Sequence, residues 1–134
     1  MSQHSKLGLY NDSRFPGRCI LALRQHFTSI EEVPMDTIMG YMRDIQISMT
    51  AIARATGAAK VNVAILGNRD PHVHAHLVPR FPQEEEYPDC SPWNDRRPKG
   101  QLDDSEVRRI KELIYKEIEY CDSRRQNDEY PSLF

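Results

Sequence analysis

The chain is expected to fold as an α+β domain in which an antiparallel sheet carries helices packed on one face. Three observations lead there. Two short apolar runs precede a long helical pattern, two more follow it around a turn, and a second helical pattern closes the chain, giving the order β, β, α, β, β, α. The 134 residues suit one domain that buries a core without disulfide or metal staples. A composition of 39% hydrophobic and 28% charged residues is that of an ordinary soluble globular protein.

Taken in order, Met1 to Lys6 read as a polar, frayed leader. Residues 7–10 form a short strand, broken by the turn formers of residues 11–17, and residues 18–24 form a second strand with an apolar centre. Residues 28–34 lead into the longest helix. There Asp36 is a fair N-cap, and Ile38, Met42, Ile45, Met49 and Ile52 recur at spacings of four and three as one apolar stripe. That helix should stop at Gly57. Residues 60–66 form a strand, and the turn at residues 67–71 pairs it with the next one. Residues 82–100 lack any periodicity and read as a long loop. Its sole tryptophan, Trp93, would anchor it, and its charge runs would face solvent. Asp103 and Glu106 open the last helix with a capping box, and Val107, Ile110, Leu113, Ile114 and Ile118 form its buried stripe. Residues 122–134 turn polar again and form a flexible or docking tail, so the whole of 1–134 is read as one domain with tails at 1–6 and 122–134.

Composition also excludes some functions. A net charge of −2 without a basic stripe argues against a nucleic-acid polymer as partner, so any nucleotide bound should be small. Three widely spaced cysteines do not make a disulfide framework and suit a reducing cytoplasm. Cys19 and Cys121 fit buried hydrophobes better than reactive thiols. No export leader and no membrane span is evident, which gives a cytoplasmic expectation.

Residues 71–81 carry the chemistry. His72, His74 and His76 alternate with Val73, Ala75 and Leu77, so on an extended strand the histidines share one face and the apolar residues the other. Imidazole titrates near neutral pH and can serve as nucleophile, base or acid. Only five of the 134 residues are histidine, so three of them at strict spacing point to a site rather than a polar edge. A single zinc is disfavoured as their common partner. At about 3.3 Å per residue the outer two lie roughly 13 Å apart, too far for all three to reach one ion. No cofactor is expected. On an otherwise apolar strand, Asn62 would point an amide donor into the site if it shares the histidine face.

The run His72-Val73-His74-Ala75-His76-Leu77-Val78, continued by Pro79-Arg80, resembles the histidine triad motif. The resemblance extends from about Gly8 to the last helix and is nearest to short bacterial proteins of the diadenosine tetraphosphate hydrolase type. It implies nucleotide binding across the sheet and a homodimer paired through a long helix and a sheet edge. It also implies cleavage at an α-phosphate, with His74 as nucleophile, His76 binding phosphate oxygens or assisting the leaving group, and His72 orienting the others. A polar residue before the Pro-Gly turn holds the ribose in such proteins, a role open to Asn11 or Asp12. Asn62 and Asn68 are both candidates for contacts to phosphate or ribose, although Asn68 also suits a plain turn residue. Where many relatives place a histidine after Pro-Gly this chain has Arg18, which can itself bind phosphate. Two alternatives stand beside this reading. One is a nucleotide-binding module with weak or lost catalysis, and the other is a metal-dependent hydrolase built on two of the histidines.

Overall fold

The computed structural model describes residues 1–127, excepting the side chains of residues 125–127. Its elements are β1 (Ser5–Leu9), β2 (Cys19–Leu23), α1 (Met35–Thr56), β3 (Lys60–Ala64), β4 (His74–Arg80) and α2 (Asp104–Asn127). Two single 3-10 turns, Ile30–Glu32 and Pro92–Asn94, stand in the connections. The strands form one sheet in the order β1-β2-β4-β3 with every neighbouring pair antiparallel, so the α+β expectation holds.

Register decides which residues face the core. Leu7 pairs with Leu21, Leu21 with Ala75 and Cys19 with Leu77, and residues directly opposite in a ladder share a face. That face is closed by α1 and α2 through Tyr41, Ile45, Ile52, Ile110, Ile114 and Ile118. The other face holds His74 opposite Ala22, His76 opposite Ile20 and Ala64, and Asn62 opposite Val78. The period-two alternation of β4 thus separates a packed side from an open side. Burial pushes the Cys19 thiol up to about 12, as suits an inert hydrophobe.

Tyr41 connects the two layers. It is 0% exposed, and its hydroxyl donates to the carbonyl of Leu21 at 2.7 Å. Tyr41→Phe is expected to destabilise the fold by about 1–2 kcal/mol, because a buried bond is lost with little change in volume. Urea denaturation checks this, and an unchanged midpoint would mean that the hydroxyl contributes nothing net.

Several expectations need correction. The expected stripe of α1 holds at Ile38, Ile45, Met49 and Ile52 but not at Met42. Tyr41 is buried where Met42 was expected and Met42 is 45% exposed, because α1 packs against both the sheet and α2 and so buries two adjoining rows. The second row includes Asp44, which is satisfied by the backbone N–H of Ser2 at 2.8 Å. Residues 1–6 are accordingly tied down rather than frayed, with Ser5 and Lys6 paired in β1. Pro34, not Asp36, occupies the N-cap of α1, and Asp36 falls in its first turn, where it complements the helix dipole. At the other end Gly57 adopts φ 73°, and its N–H bonds to Ala53 as expected for a left-handed C-cap. The capping bond of α2 is present, from Glu106 N–H to Asp103 at 2.9 Å. α2 continues through residues 122–127, expected as tail, while the possible docking segment at residues 130–134 lies outside the described residues.

Candidate active site

The loop after β4 is positioned by one arginine whose role the sequence did not disclose. Arg80, 5% exposed, donates from Nε and Nη2 to Glu85 at 2.8 and 2.6 Å, and from Nη1 to Asn62 at 2.7 Å and to the carbonyl of Cys90 at 2.8 Å. Glu85 is therefore buried, contrary to the expectation that this acidic run is solvated; its other oxygen accepts from the N–H of Phe81 at 2.6 Å. Arg97 also leaves the solvated class, since it pairs with Asp95 and donates to the carbonyl of Arg14 at 3.1 Å. The irregular segment is thereby folded back over the open face of the sheet, with Trp93 held above His76.

His74 opens β4, and its Nδ1 lies 2.7 Å from the carbonyl oxygen of His72. A carbonyl only accepts, so Nδ1 carries a proton, and in the neutral form of the ring the lone pair is on Nε2. His76 stands beside it, with ring centroids 5.0 Å apart at 68°. Nη2 of Arg18 approaches Nδ1 of His76 at 3.3 Å. Burial, then the Arg18 charge, then His74 hold His76 below the ordinary histidine value.

Arg18 is itself anchored. Its Nη1 donates at 3.0 Å to Asp12, which is 0% exposed and also takes two bonds from the Arg14 guanidinium at 2.9 and 2.8 Å. Burial alone would raise the Asp12 carboxyl, but its bonds from Arg14 outweigh that and hold it below the usual range. The Arg18 guanidinium lies 4.2 Å from the Tyr10 ring centre and 5.6 Å from that of Trp93. Trp93 meets His76 edge-on at 5.4 Å and 89°. Lys99 donates to the Tyr10 hydroxyl, and that bond is the leading cause holding the phenol below its ordinary value.

These groups line a cleft of about 590 Å³ that includes His74, His76, Arg18, Asn68, Trp93 and Lys99. A second cavity of about 560 Å³ shares Pro92 and Trp93 with the first and lies over Asn62 and Ala64.

The structure does not gather all the predicted residues. His72 precedes β4 and turns toward β2, where its Nε2 donates to the carbonyl of Leu23 and its Nδ1 lies 2.9 Å from Nδ1 of His26. It reaches His74 through its backbone carbonyl. Asn11 is engaged at both ends by the backbone of Leu102, donating to its carbonyl at 3.1 Å and accepting from its N–H at 2.8 Å. Neither Asn11 nor Asp12 lines the main cleft. Asn62 lies on the histidine face, but its carbonyl oxygen accepts from Arg80 and its side chain lines the second cavity. Tyr10, Trp93 and Lys99 enter the cleft from segments read as strand end and solvated loop. Their signal in the sequence was only the cluster of aromatic and basic residues. Among the described residues, no three His, Cys, Asp or Glu side chains are grouped to hold a metal ion.

Fold and site define a class of protein: an antiparallel sheet backed by two helices, with paired imidazoles from alternate positions of a central strand set among basic and aromatic groups that suit a phosphate. A family model described as the HIT domain matches residues 2–83, and the chain belongs to that family of nucleotide-binding and hydrolase proteins. Solved structures agree on the fold. A histidine triad protein from Sinorhizobium meliloti 1021 is 21% identical, with a TM-score of 0.78 over 87% of this chain and 85% of that one. One from Bradyrhizobium japonicum is 24% identical, with a TM-score of 0.78 over 88% and 87%. A more distant neighbour is the diadenosine triphosphate hydrolase of Plasmodium falciparum, 15% identical, with a TM-score of 0.55 over 92% and 74%. A search of curated proteins found no match. No helix among the described residues is long and apolar enough to cross a membrane.

Proposed function

We propose that this chain is a nucleotide hydrolase or nucleotidyltransferase acting at an α-phosphate through a covalent nucleotidyl-histidine intermediate, on diadenosine polyphosphates or nucleoside phosphoramidates. The observation that carries this reading is the bond from Nδ1 of His74 to the carbonyl of His72, which sets the tautomer whose neutral form has its lone pair on Nε2, on a ring lining the cleft. A neutral imidazole attacks phosphorus without prior deprotonation. In the first step Nε2 of His74 bonds to phosphorus while the bond to the leaving group breaks and its electrons depart with that group. In the second, water bonds to phosphorus, the N–P electrons return to His74 and the water's proton is released to solvent. The basic groups around the cleft supply the electrostatic stabilisation that phosphoryl transfer needs. Asn68 lines the cleft, which supports its contacting the phosphates or ribose there, whereas Asn62 would do so from the second cavity.

Rapid quenching of the enzyme with a slowly cleaved AMP ester should trap one AMP on His74, located by peptide mass spectrometry. Stoichiometric binding without any adduct or turnover would favour the second reading, a nucleotide-binding module with weak or lost catalysis. Arg18, which stands where many relatives have a histidine and meets His76, is what gives that second reading weight.

The same reading carries a homodimer. The free edge of β3, with Val63 37% exposed, and the exposed Met35, Met39 and Met42 of α1 are unusual surface for a lone subunit and support it. Sedimentation should give twice the chain mass, and Met39→Glu should shift it toward one. A monomer throughout would remove this part of the reading.

A further inference from the structure

The role of His76 turns on which of its nitrogens holds the proton. A guanidinium only donates, so the contact from Nη2 of Arg18 makes Nδ1 of His76 the acceptor and leaves the hydrogen on Nε2. The cleft therefore presents a matched pair: His74 with a bare Nε2 and His76 with a protonated one. We infer that Arg18, braced by Asp12, fixes His76 as a neutral hydrogen-bond donor and thereby selects substrates whose leaving group departs without a proton, a phosphate oxygen of an oligophosphate rather than an amine.

The chemistry follows from proton balance. A neutral imidazole that gave up its Nε2 proton would have to become an anion, and a guanidinium on Nδ1 supplies no proton to prevent it. His76 can thus hydrogen-bond a phosphoryl or leaving oxygen but cannot protonate a leaving nitrogen. When His74 attacks an oligophosphate, the bridging oxygen leaves with the bond electrons as a phosphate anion of low basicity, and no proton is required. When it attacks a phosphoramidate, the amine would have to leave as a strongly basic anion unless an acid protonated it first. Burial of the ring and the adjacent Arg18 charge both favour the neutral form. The position is also built to last. Asp12 is fully buried between two arginines, and the guanidinium of Arg18 is 4.2 Å from the centre of the Tyr10 ring, so the group that faces His76 cannot swing away cheaply. Arg18 acts here through His76 and is a positioning residue that sets specificity. This inference rests on the proposed attack by His74.

Two measurements on the full chain test it. Nitrogen-15 spectra of the histidine rings should show His76 protonated on Nε2 and bare on Nδ1. In Arg18→Gln that pattern should give way to a mixture of forms. In turnover, the wild type should favour diadenosine tetraphosphate over adenosine 5′-phosphoramidate by roughly a hundredfold or more in kcat/KM, the low end of what a positioned acid contributes. Arg18→Gln should narrow that ratio by about tenfold or more. Arg18→Lys keeps a donor-only cation beside Asp12 and His76, so it should fold even if the glutamine variant does not, and should hold the ratio near the wild-type value. A wild-type His76 carrying its proton on Nδ1 or on both nitrogens overturns the inference. So does a ratio near one, or a folded glutamine variant that leaves the ratio unmoved. Absence of turnover on both substrates would sink the catalytic reading and the selectivity together, while the ring spectra would still decide whether Arg18 sets the tautomer.

Discussion

His74→Ala is expected to lower kcat on adenylylated substrates by on the order of 10⁴-fold or more, since it removes the atom to which phosphorus would bond. The ring is half-buried at the first residue of β4, with its Nδ1 on a local backbone carbonyl, so its loss should leave the sheet register intact. Single-turnover kinetics with circular dichroism as a folding control measure this. Adduct formation and turnover at wild-type rates in the variant would end the covalent mechanism and with it the proposed function. His76→Ala should be milder, because it removes a hydrogen-bond donor and not the nucleophile.

Arg80→Ala carries the largest expected effect on stability, about 3–5 kcal/mol, because it strands a buried carboxylate. The Glu85 side chain is 1% exposed and keeps only its bond from the N–H of Phe81 once the guanidinium is gone. The carbonyl of Cys90 and the amide oxygen of Asn62 lose their donor as well. Urea denaturation reads the loss directly, and a change below about 1 kcal/mol would mean that water replaces the arginine at little cost. The double variant Arg80→Met with Glu85→Leu should recover part of it, since removing both charges leaves neither unpaired.

Much of this architecture could be read from periodicity. Alternation along β4 gave its two faces, Gly57 gave the end of α1, and Asp103 gave the start of α2, because each depends on chemistry within a few residues. What failed depends on distant partners. Met42 and Tyr41 are adjacent in sequence, and only the docking of α1 on the sheet, where the Tyr41 hydroxyl meets the carbonyl of Leu21, decides which of them is buried. Asp44 reads as a surface charge until Ser2 arrives from the other end of the chain. The site divides in the same way. His74 and His76 were legible in their own strand, whereas the Asp12–Arg18–His76 chain joins a loop to a strand 58 residues further on. Asn11 and Asp12 were expected at the ligand because both are polar and near the turn. Their engagement with Leu102, Arg14 and Arg18 is long-range or depends on fork geometry that no spacing rule encodes.

The position of Trp93 has a practical consequence. It is the only indole in the chain, about half exposed, and it stands edge-on over one of the two cleft imidazoles. Its emission therefore comes from a single place, the wall of the cleft that holds His74 and His76, and the protein carries an intrinsic optical reporter there. Occupancy can be followed in the unlabelled, unaltered chain, and arrival of a molecule can be timed separately from any step that follows it.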